Sequence, residues 1–192
     1  MSDTPLHIAF VWHMHQPYYK DDLTGTYILP WVRMHGIKDY YDMPAILKDF
    51  PDIHQTFNLV PSLLKQIQDY VENNATDKFL EVTLKPAAEL EYEDKIFLLK
   101  NFFMANWGTM VKPYARYWEL LDRRGQSVSE KDLGNATRYF SARDYLDLQV
   151  WFNLTWVDPL FKQSDPLLKE LLRKGSGFTE EEKALLVNKQ RE

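Results

Sequence analysis

The sequence predicts an α/β fold in which two parallel strands come early and a large helical region follows. The first observation behind this is the apolar run His7 to His13 (His-Ile-Ala-Phe-Val-Trp-His), which carries no two-residue alternation. A strand buried on both faces, as in a parallel sheet, reads this way. The second is Ile53 to Val60, another strand-like run, after which Pro61 opens a helix where its missing N–H costs nothing. The third is a succession of capped, helix-period segments that fills the rest of the chain.

Between the strands, Ile37 to Phe50 contains a helical stretch interrupted or restarted at Pro44. Leu63, Leu64, Ile67, Tyr70 and Val71 share one stripe of the helix begun by Pro61. The opening segment therefore spells strand, long loop, helix, strand, helix. Downstream, Thr76 is placed to cap a short helix reaching Leu84. Glu91 to Asn106 is a strongly apolar helix, and Pro113 to Arg124 stops at Gly125. Ser141 with Asp144 forms a capping-box start for Ala142 to Trp156, whose stripe includes Tyr145, Leu148 and Phe152. Asp165-Pro166 opens a further helix closed by Gly175, and Thr179 with Glu182 caps a last one reaching Glu192.

Composition removes several functional classes. The 192 residues are 45% hydrophobic and 27% charged, ordinary soluble usage that argues against disorder or a membrane protein. The apolar stretch Ile8 to Trp12 is too short for a signal-peptide core or a membrane span, so a cytoplasmic location is expected. Cysteine is absent, which excludes disulfides, thiolate zinc sites and cysteine nucleophiles. A formal charge of −5 offers no general attraction for nucleic acid. Only 7 glycines occur and none builds a phosphate-cradling loop, so no nucleotide cofactor is expected. Aromatics reach 15%; most are read as core, and a minority as walls of a sugar-stacking cleft.

Two parallel strands alone cannot bury both faces and both edges. The expectation is a single partial domain, the opening portion of a larger α/β barrel or open sheet. Residues 1–72 supply the first two βα units and 73–192 a helical insertion or cover. Open strand edges and an apolar face then call for self-association or for a covering partner, the missing C-terminal part of the barrel.

The stretch after the first strand, His13-Met14-His15-Gln16-Pro17-Tyr18-Tyr19, carries the most chemistry. In parallel α/β folds ligands gather at the C-terminal ends of strands. On an extended backbone His13 and His15 point the same way. The two imidazoles can satisfy buried neighbours, supply two ligands of a metal site completed by His35, His54 or a carboxylate, or bind sugar hydroxyls together with the Gln16 amide. Nothing in the spacing enforces a third metal ligand, and no metal is assigned.

His15-Gln16-Pro17 after a buried strand, then Pro30-Trp31-Val32-Arg33-Met34-His35-Gly36-Ile37-Lys38-Asp39-Tyr40, then Phe57-Asn58-Leu59-Val60-Pro61-Ser62-Leu63, resembles the N-terminal part of glycoside hydrolase family 57. Trp151 to Pro159 is similar to the same group, close to its α-amylase, amylopullulanase and glucanotransferase-like members. The resemblance covers nearly the whole chain. It implies a (β/α)7 barrel acting on α-glucans with retention of configuration, and α-glucan or maltooligosaccharide as the partner. It also implies that the catalytic Glu and Asp belong to later signature stretches, so no catalytic residue is assigned here. Retaining chemistry needs two carboxyl groups roughly 5 Å apart.

Local carboxylates offer no substitute pair. Glu89, Glu91, Glu93 and Asp94 lie where a helix begins, as do Glu180, Glu181 and Glu182, and acids there favour the helix dipole. Asp21, Asp22, Asp39 and Asp42 show no spacing that singles out two. Trp31, Arg33 and His35 lie in the long loop expected over the barrel mouth, where sites are commonly built; alternatively Trp31 anchors the loop and Arg33 pairs with an acid. The site residues selected are His13, His15, Gln16, Trp31 and His35. The reading is an N-terminal segment of an α-glucan enzyme, inactive alone. The alternatives are a stand-alone carbohydrate-binding or interaction protein derived from such a barrel, and a metal-dependent hydrolase using His13 and His15.

Overall fold

The computed structural model describes residues 6–192. Strands β1 (Val11–Met14) and β2 (Thr56–Leu59) pair in parallel, with Val11 opposite Thr56 and Met14 opposite Leu59. Between them lie α1 (Trp31–Gly36) and α2 (Asp39–Ala45), which tightens into a 3₁₀ turn at Ile46–Asp49. The rest is helical: α3 (Pro61–Glu72), α4 (Lys78–Leu84), α5 (Tyr92–Asn101), α6 (Ala115–Arg124) and α7 (Glu130–Ala136), then α8 (Ala142–Thr155), α9 (Pro159–Ser164), α10 (Pro166–Lys174) and α11 (Glu180–Arg191). A widened π-type turn, Trp107–Val111, joins α5 to α6. The protein is mostly helical with two parallel strands, the coarse arrangement expected.

The central element is α8, buried along nearly its whole length from Asp144 onward. Its Phe152 joins Phe79 and Phe102 in a stack of rings, with Phe102 and Phe152 centroids 4.5 Å apart. The buried carboxylates and amides on α8 are answered, as burial requires, while the buried Tyr145 hydroxyl has no partner among the described residues. Asp144 and Asp147 pair with Arg116, Gln149 donates to the carbonyls of Val82 and Lys85, and Asn153 donates to Thr83. The capping signals act as read: Ser141/Asp144 and Thr179/Glu182 form reciprocal boxes, and Gly125 and Gly175 end α6 and α10 at φ of 81° and 71°, which a side chain would resist.

Several expectations are corrected. The first strand is shorter than its apolar run and is not buried on both faces. Met14 packs against Val32 of α1 and Leu63 of α3, but Ile8, Phe10 and Val11 are exposed, because among the described residues the two strands pair only with each other. The long loop after β1 is partly helical: α1 carries Trp31, Arg33 and His35. Pro44 does not restart a helix; it sits in the last turn of α2, where only one backbone bond is forfeited. Asp77 rather than Thr76 caps α4, accepting from the Leu80 amide at 2.8 Å, while the Thr76 carbonyl accepts from the Tyr27 amide. Helix α5 stops at Asn101 rather than Asn106, since the Phe102 carbonyl accepts the Tyr117 hydroxyl at 2.5 Å. No helix among the described residues is long and apolar enough to cross a membrane.

One consequence concerns acid stability. Burial alone raises the Asp144 carboxyl, but hydrogen bonds from Ser141 and Arg116 outweigh it and hold the group down at about 2. A carboxyl depressed by folding contributes stability that is present above its unfolded value and lost as pH falls through the folded one. Unfolding free energy is therefore expected to decline between about pH 4 and pH 2, and the decline is expected to be shallower in Asp144→Asn. Urea titrations at several pH values would show parallel curves for the two proteins if this is wrong.

Candidate functional site

The C-terminal end of β1 delivers the chain into a loop that the first turns of α3 pin down. Ser62 Oγ donates to the Gln16 carbonyl at 2.9 Å. Gln66, fully buried, donates to the Pro17 carbonyl and accepts from the Tyr19 amide, both at 2.8 Å. Gln16 is thereby held as a buried side chain at a fixed place. Its amide is bracketed by two phenols: Nε2 donates to Tyr40 and Oε1 accepts from Tyr19, both at 2.9 Å. Burial raises the pKa of both tyrosines, so each hydroxyl stays protonated at neutral pH. The Tyr40 hydroxyl in turn donates to the His15 carbonyl at 3.2 Å. Among the described residues one N–H of the Gln16 amide remains uncommitted.

Gln16 forms one wall of an open cleft of about 610 Å³. Trp31 and His35 of α1 add to that wall, and Tyr19 lies beside them. Trp156 at the C-terminus of α8 packs against Trp31 and His35, and Phe103 to Trp107, the segment between α5 and the π-type turn, completes the lining. Trp31 and Trp156 centroids are 5.7 Å apart, and His35 meets Trp156 edge-on at 5.4 Å. His35 is oriented by Asp39, whose Oδ2 lies 2.5 Å from Nδ1, while Lys38 holds the other carboxylate oxygen. Burial raises Asp39, and the bonds from His35 and Lys38 overcome that and keep it ionised. Among the described residues Nε2 of His35 has no protein partner.

Three of the chain's six tryptophans thus converge with a histidine and the amides of Gln16 and Asn106. None of the residues lining the cleft is a carboxylate. Flat apolar rings with a few fixed polar groups suit a ligand that has an apolar face and hydroxyls at its edge. Two other hollows lack this combination. One, of about 510 Å³, is floored by Ile37, Val157 and Leu168; the other, of about 690 Å³, lies between Trp12 and Leu160 with acids on its rim. The family model described as Glycosyl hydrolase family 57 matches residues 9–189.

The chain belongs to glycoside hydrolase family 57. No curated protein and no solved structure matches it.

Of the residues singled out in this family-57 chain, Gln16, Trp31 and His35 meet in the cleft. His13 and His15 stand outside it, exposed, with rings stacked at 5.7 Å and planes within 10°, so they do share one side of the strand. His13 lies opposite Asn58 in the register. Among the described residues no group of three His, Asp or Glu is placed to hold a metal ion. Arg33 points away from the cleft and pairs with buried Asp77, Nε to Oδ2 at 2.9 Å. Tyr19, Asn106, Trp107 and Trp156 escaped sequence reasoning. Tyr19 and Trp156 lie inside the quoted motifs without being singled out there; Asn106 and Trp107 come from the segment where α5 gives way to the π-type turn, and no local pattern announces them.

Proposed function

We propose that this family-57 chain supplies one wall of an α-glucan site, and that the two carboxylic acids of a retaining mechanism come from outside its 192 residues. The observation that carries this reading is the cleft itself: three indoles, an imidazole and two amides, without a carboxylate. Retaining hydrolysis needs a nucleophile and a general acid roughly 5 Å apart on either side of the bond. A surface without them can bind and orient a sugar, but it cannot break the linkage. In this reading residues 1–72 are the first βα units, contributing Gln16, Trp31 and His35. The helical region 73–192 acts as a cover, contributing Trp107 and Trp156.

Glucose rings stack on Trp31 and Trp107 while the free N–H of Gln16 and Nε2 of His35 address hydroxyls. His13 within β1 and His15 just beyond its end extend the polar track along the exposed side of the strand. The α-glucan preference rests on the family; the covering partner, either the remainder of a barrel or a second copy, rests on the exposed apolar residues Ile8, Phe10 and Val11.

Titrating maltoheptaose against tryptophan fluorescence tests the reading, with cellohexaose as control. Saturable quenching by the α-linked sugar is expected. His15→Ala is expected to weaken binding a few-fold while leaving the melting temperature nearly unchanged, because the side chain is exposed. A large fall in melting temperature with unaltered affinity would return His15 to a packing role, and absence of any quenching would remove the sugar site.

A further inference from the structure

Arg124 is the last residue of α6 and is only 5% exposed. Among the described residues it has no carboxylate partner. Nη1 donates to the Leu99 carbonyl at 3.2 Å, and Nε is buried with no partner. What faces the guanidinium instead is a pair of rings, Phe103 with its centroid at 5.1 Å and Trp107 at 5.9 Å, both within cation–π range. Both rings line the cleft. They are also tied to each other, because the Trp107 indole N–H donates to the Phe103 carbonyl at 2.9 Å.

An arginine keeps its charge at any working pH, and an uncompensated buried cation is expensive. Packing alone would be served better by an apolar side chain of the same length. We propose that Arg124 is a positioning residue that fixes Trp107, and with it the part of the cleft lining formed by Phe103 to Trp107, by presenting its guanidinium to the Phe103 and Trp107 rings. The effect on ligand binding rests on the sugar-site reading above; the effect on Trp107 does not. Trp107 opens the π-type turn, whose backbone is anchored by Asn106 accepting from the amides of Gly108 and Thr109. The indole itself is partly exposed, and two contacts hold it: its N–H bond to the Phe103 carbonyl fixes one edge, and the Arg124 guanidinium faces the ring.

The test uses Arg124→Met, which keeps the length and removes the charge, and Arg124→Lys, which keeps the charge and loses the planar fork. The indole N–H resonance of Trp107, assigned with a Trp107→Phe chain, is followed alongside melting temperature and maltoheptaose affinity. For Arg124→Met the expected result is a melting temperature unchanged or raised, a shifted and faster-exchanging Trp107 indole proton, and affinity lower by roughly fivefold or more. Arg124→Lys is expected to fall between it and the parent chain. A Trp107 indole signal and affinity left unchanged by Arg124→Met, with only the melting temperature falling, would make Arg124 a plain core residue and overturn the proposal. If the parent chain binds no maltoheptaose, the sugar reading fails, and the indole resonance alone decides the role of Arg124.

Discussion

Asp77→Ala is expected to destabilise the fold by about 3–5 kcal/mol, the cost typical of stranding one partner of a buried ion pair. Asp77 is completely buried and serves three groups at once. It accepts from Arg33 Nε at 2.9 Å and Nη2 at 3.4 Å, from the Leu80 amide as cap of α4, and from the Tyr70 hydroxyl at 3.2 Å. Burial and the adjoining Asp77 charge push the Tyr70 phenol well above its ordinary range, so it remains a donor. Alanine would leave Arg33 with only the neutral oxygens of Asn153 and Gln190. Asp77→Asn keeps the cap and loses the charge, and is expected to fall between. Chemical denaturation followed by circular dichroism measures both; a midpoint for Asp77→Ala within error of the parent would show that the Arg33 pair does not hold α1 to α4.

Trp31→Leu is expected to weaken maltooligosaccharide binding at least tenfold, about 1.4 kcal/mol, while costing less stability than the Asp77 change. The indole has two jobs. One edge packs toward Phe79, with centroids 6.5 Å apart, and the ring meets Trp156 and His35 at the cleft wall. Leucine retains an apolar contact with the core but offers no flat face for a pyranose. Calorimetric titration separates the two roles: unchanged affinity with lowered stability would assign Trp31 to packing alone.

What the sequence made legible was local. A capping box such as Ser141/Asp144 states its own helix start because donor and acceptor lie three residues apart, and Gly175 states a stop through its backbone freedom alone. The parallel strands were recoverable from apolar runs. Those runs encode a demand for cover but not what meets it, and the exposed Ile8 and Phe10 agree with the open apolar face expected of them. Helix α1 was missed because its few residues carry no cap; the carbonyls it leaves are met by tertiary neighbours, as when the Asp158 amide donates to Ile37 at 3.2 Å. The site divided the same way. Gln16, Trp31 and His35, which sit in motifs after β1, and Trp156, in the later Trp151 to Pro159 stretch, line one cleft, whereas Trp107 reaches it only through the packing of the segment after α5. Arg33, which the sequence leaves out of the selected site and offers as the partner of an acid, pairs with Asp77.

The most direct test incubates the purified chain with maltoheptaose and follows binding and bond cleavage in the same sample, by ligand-observed NMR and by release of reducing ends. The account requires a bound sugar that stays intact over many hours. Sustained cleavage by the chain alone, surviving repeated purification and abolished by replacing one of its own carboxylates, would contradict it.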